Sequence, residues 1–127
     1  MSRSTIERDL LKKMVAAQAD VSSYLSLRRA KGYMSVTESE KLRDSLFEVC
    51  HEYREQAPTF TASLAAHQAA SFDRGIAALS AAAISLMTGR HDCPHYIAID
   101  ADKLESCLHQ LSDSLNELHS VQLAIDA

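Results

Sequence analysis

The sequence predicts an all-α, up-and-down bundle of four long helices, and three observations predict it. The 127 residues include only three glycines and two prolines, too little turn chemistry for a sandwich, a barrel or a doubly wound sheet. Apolar residues recur at steps of three and four along most of the chain. Ser/Thr-x-x-Glu boxes, glycine and proline fall where such helices must start and stop. A chain of this length, 46% hydrophobic and 24% charged, reads as one domain over residues 1–127 that buries roughly two thirds of its unfolded surface.

Ser4-Thr5-Ile6-Glu7 is a capping box, in which hydroxyl and carboxylate each satisfy an otherwise orphaned amide. The first helix therefore covers about 5–31. Its inward positions run Ile6, Leu10, Met14, Ala17, Val21, Tyr24 and Arg28, and Gly32 supplies its left-handed end. Thr37-Glu38-Ser39-Glu40 repeats the box, placing the second helix at about 38–56 with Leu42, Leu46, Val49 and Tyr53 inward and Pro58 as its stop. Thr59 then caps a third helix at about 59–88, closed by Gly89 and either continuous or broken at Gly75. Asp100 or Asp102 caps the fourth, at about 101–125. Its seam of Leu104, Leu108, Leu111, Leu115, Leu118, Gln122 and Ile125 alternates steps of four and three with one polar member.

The third helix stands apart. Between Ala57 and Gly89 the only formally charged side chains are Asp73 and Arg74, and a helix with almost no water-seeking side is normally covered all round. Either the chain's own helices cover it, or a second molecule does. Phe72, Ile76, Leu79, Ala82, Ala83 and Leu86 are its expected contact residues. Length points the same way. Helices of about 27, 19 and 30 residues differ by up to some 16 Å at 1.5 Å per residue, so an unbroken third helix overhangs its neighbours. A twofold homodimer is the simplest cover for that overhang.

Charge divides unevenly. Residues 1–32 carry seven basic and three acidic side chains, and residues 90–127 carry two basic and seven acidic, within a net charge of −4. The first and last helices should therefore attract each other. Charges at Arg3, Glu7, Arg8 and Asp9 replace the apolar run of a secretory signal. The uncharged stretch 75–89 is too short to cross a bilayer. Three cysteines form no disulfide framework. A cytoplasmic protein without membrane contact is expected.

Chemical motifs are sparse. His91, Cys93 and His95 alternate in the longest connection, so an extended backbone turns all three to one side, where they could hold zinc with help from Cys107 or His109. Their one-residue spacing is poor for a shared ion, and the competing reading is a connection whose Tyr96, Ile97 and Ile99 cover the bundle's end. Glu48-Val49-Cys50-His51 matches the Glu-x-x-His element of di-iron bundles, but helical phase turns Glu48 and His51 away from Leu42, Leu46, Val49 and Tyr53, leaving His51 to pair with Glu55. His67 reads as a boundary residue. Cys93 as a nucleophile lacks an orienting group and an oxyanion site. Arg28, Arg29 and Lys31, with Lys12 and Lys13, could form a basic patch for nucleic acid, against an acidic chain with few nearby aromatics.

The expected function is therefore non-enzymatic: a small adaptor, regulator, chaperone or immunity-like protein that binds another protein through a helical surface, self-associates as a dimer and needs no cofactor. Metal binding through the His91-Cys93-His95 loop and weak nucleic-acid binding through the first helix are the alternatives.

Overall fold

The computed structural model describes residues 3–60, 64–87, 90–93 and 96–126, with side chains described for 6–59, 64–87 and 99–118. Among them the chain forms α1 (Arg3–Lys31), β1 (Met34–Ser35), α2 (Val36–Phe60), α3 (Ala66–Met87), β2 (Arg90–Cys93), β3 (Tyr96–Ala98) and α4 (Ala101–Asp126). The architecture is the expected all-α bundle. Each helix packs on its neighbour in sequence, and α4 closes the ring against α1. Cross-bridges fix the directions. Tyr24 meets Ser39 and Lys13 meets Glu52 between α1 and α2, while Gln18 meets Ser112 and Arg29 meets Glu105 between α1 and α4. In both pairs one number rises as the other falls, so these neighbours are antiparallel.

The inward stripes read from the sequence form most of the core, with Ile6, Arg28 and Leu108 only half-buried. Leu10, Met14, Ala17, Val21 and Tyr24 of α1, Leu42, Leu46, Val49 and Tyr53 of α2, and Leu104, Leu111, Leu115 and Leu118 of α4 are all buried. Gly32 has φ +83° and its amide donates to the Arg28 carbonyl at 2.7 Å, the left-handed ending that glycine adopts without a Cβ clash. At α4 the choice falls on Asp100: its carboxylate accepts from the Lys103 amide at 3.1 Å. The Ser4 box, Gln122 and Ile125 involve side chains outside the described ones.

Three boundaries differ from expectation. The second helix begins at Val36 because Ser35, not Thr37, caps it: Ser35 Oγ accepts from the Glu38 amide at 3.0 Å, and Glu38 Oε1 accepts from the Ser35 amide at 3.2 Å. It also runs through Pro58 to Phe60, since proline's fixed φ is helical and in a last turn costs only one backbone hydrogen bond. The third helix starts at Ala66, so Thr59 belongs to α2; the amide of Ala65 donates to Gln68 Oε1 at 3.2 Å, half of a capping box. α3 is continuous through Gly75. The lengths become 29, 25, 22 and 26 residues, so the third helix is the shortest of the four and does not overhang its neighbours.

The connection at 90–100 is not a plain loop. β2 and β3 pair antiparallel, and β1 pairs antiparallel with the other side of β3, Met34 opposite Ile97 and Ser35 opposite Tyr96. This small sheet ties the α1–α2 turn to the α3–α4 connection at one end of the bundle. Strands of two, four and three residues are too short for an alternating pattern to signal.

Candidate functional site: the furrow between the first two helices

The α1–α2 turn is built from a chain of polar contacts. Ser39 Oγ donates to the Ser35 carbonyl at 3.0 Å. Its single proton is thereby used, so the 2.7 Å contact with Tyr24 is donated by the tyrosine hydroxyl. Burial pushes the Tyr24 phenol above its ordinary value, keeping it a donor. Lys31 Nζ pairs with Glu38 at 2.9 Å and lies 4.9 Å from the centre of the Tyr33 ring. Hydrogen bonds from Lys31 and then Ser35 hold the Glu38 carboxyl below the usual carboxylate range.

From this turn a furrow runs along the α1–α2 seam. It consists of two adjoining hollows of about 380 and 210 Å3, which share Asp20 and Ser45. Tyr24, Met34 and Leu42 line the larger, and Ala17 and Val49 the smaller. The lips follow helical spacing: Lys13, Ala16, Asp20, Ser23 and Leu27 on α1, and Glu38, Lys41, Ser45, Glu48 and Glu52 on α2. Ala16, Ser23 and Ser45 are too short to close the gap above the core. Leu27 is 42% exposed, and at the far end Lys13 bridges to Glu52. Sequence reading passed over this stripe. Its signal is the run of small and charged residues beside each apolar seam, at steps of three and four.

The residues singled out from the sequence are distributed otherwise. Phe72, Ile76, Leu79, Ala82, Ala83 and Leu86 are all 7% exposed or less, covered within the single chain by its own helices. From Phe72 onward the exposed residues of α3 are Asp73, Arg74, Ala77, Ile84 and Met87. His91 and Cys93 lie on β2, where the register with β3 shifts between them. Their side chains, and His95 altogether, lie outside the described residues. Cys107 is buried and His109 exposed on α4. Glu48 faces outward and His51 pairs with Glu55 at 3.2 Å, as helical phase requires. His67 is exposed. Among the described residues no three His, Cys, Asp or Glu are grouped to hold a metal.

The basic first helix is partly spent on its neighbours. Arg29 reaches Glu105 of α4 at 2.9 Å, while Lys31 and Lys13 reach acids of α2. Elsewhere Tyr53 donates to Asp73 between α2 and α3, and Arg74 and Ser71 hold Glu117 between α3 and α4.

Residues 1–124 match the protein family described as Biofilm formation protein (YliH/bssR). The chain belongs to the YliH/bssR family. Curated relatives include the Biofilm regulator BssR of Escherichia coli K12, of Escherichia coli O157:H7 and of Shigella flexneri. Each is 41% identical over 110 residues, covering 87% of this chain and 87% of the relative. No solved structure matches the chain. The YliH/bssR match spans α1 to the last turns of α4, so the furrow and the small sheet both lie inside the family region.

Proposed function

We propose that this YliH/bssR chain is a non-enzymatic regulator of biofilm formation that works in the cytoplasm by binding another protein. The observation that carries the reading is the match over residues 1–124 to a biofilm formation family whose curated relatives are named biofilm regulators. The side-chain chemistry supports it. The ionisable pairs Lys13–Glu52, Arg29–Glu105, Lys31–Glu38 and Arg74–Glu117 join one helix or turn to the next, which is scaffold work. Cations spent in this way weaken the field a nucleic acid would need. Among the described residues no helix is long and apolar enough to cross a membrane. The dimer expected from the sequence stays within this reading, its contact moved to the exposed stripe of Ala77, Ile84 and Met87.

The test is genetic. Removing the chain from its host changes biofilm mass on a static surface, and expression of the parent restores it; an unchanged biofilm in the deletion strain refutes the regulatory reading. Sedimentation equilibrium on the parent and on Ile84→Glu tests the dimer, and a monomeric parent removes it.

A further inference from the structure

We draw no further inference here: the strongest candidate, the uncharged hollow of about 300 Å3 on the α1–α4 seam lined by Val15, Gln18, Ala19, Ser22, Leu108 and Ser112, is an open face, and nothing in the structure shows what covers it.

Discussion

Met14 of α1 meets Gly75 of α3 across the middle of the bundle: a Cβ added at Gly75 would stand 2.5 Å from the Met14 methyl. Met14 is fully buried, and these two helices are diagonal rather than adjacent in the ring. The missing side chain lets a flexible methionine fill the centre that four helices leave between them. Gly75 is thus explained by packing, not by a break in α3.

Coupling between the two follows. Met14→Ala should cost about 2–5 kcal/mol. Gly75→Ala should be neutral or destabilising in the parent, because the displaced methyl offsets the roughly 1 kcal/mol gain in helix propensity, yet stabilising in the Met14→Ala background. Urea denaturation of the four proteins measures the coupling, expected at about 0.5–3 kcal/mol. Additive effects would show that the close approach is absent.

The two sides of α3 should respond oppositely. Leu79→Ala, on a side chain 1% exposed, should lower stability by about 2–5 kcal/mol. Ala82→Arg should prevent folding. Ile84→Glu, at 46% exposure within the single chain, should leave the protomer's own fold within about 0.5 kcal/mol of the parent's when both are compared at dilutions where neither self-associates. Thermal melts followed by circular dichroism separate the three, and a collapse in Ile84→Glu would mean that this face is covered.

Acid should loosen the α1–α2 turn. Lys31 and Ser35 depress the Glu38 carboxyl, so its contribution is fully present above the unfolded carboxyl's pKa. It is lost as pH falls through the lower folded value. The urea midpoint should drop between pH 7 and pH 3 by less in Glu38→Gln than in the parent. Ser71, then Arg74, depress Glu117, so Glu117→Gln should remove a separate share. At pH 7, Ser35→Ala should cost about 1 kcal/mol as a lost cap. Parallel pH profiles in parent and Glu38→Gln would refute the assignment.

Two thiols should be silent. Cys50 and Cys107 are free and buried, and burial pushes both above their ordinary value. Cys50 also donates to the Ile76 carbonyl at 3.7 Å. A brief N-ethylmaleimide pulse at neutral pH, mapped by mass spectrometry, should leave both unlabelled in the native protein and labelled in urea. Native labelling at either would contradict their burial.

The helices were legible because each core stripe repeats over several turns: Leu104, Leu111, Leu115 and Leu118 could scarcely belong to another structure, and the helical phase of Glu48 and His51 already excluded a di-iron reading. Caps were less legible, since Ser35-x-x-Glu38 and Thr37-x-x-Glu40 overlap and only backbone geometry chooses between them. The small sheet was not legible at all. Met34 and Ser35 pair with residues more than sixty positions away, which no local window contains.

The furrow belongs to that second class. By itself the sequence determined the four helices, their inward faces and their antiparallel order, because hydrophobic periodicity and short connections act locally and repeat many times. Tertiary structure alone decided that α3 is wrapped by its own chain, that Met14 reaches Gly75, and that small residues beside two adjacent seams open a groove. Those outcomes depend on which faces meet and how large their side chains are at each level of the bundle, quantities that exist only once the helices are side by side.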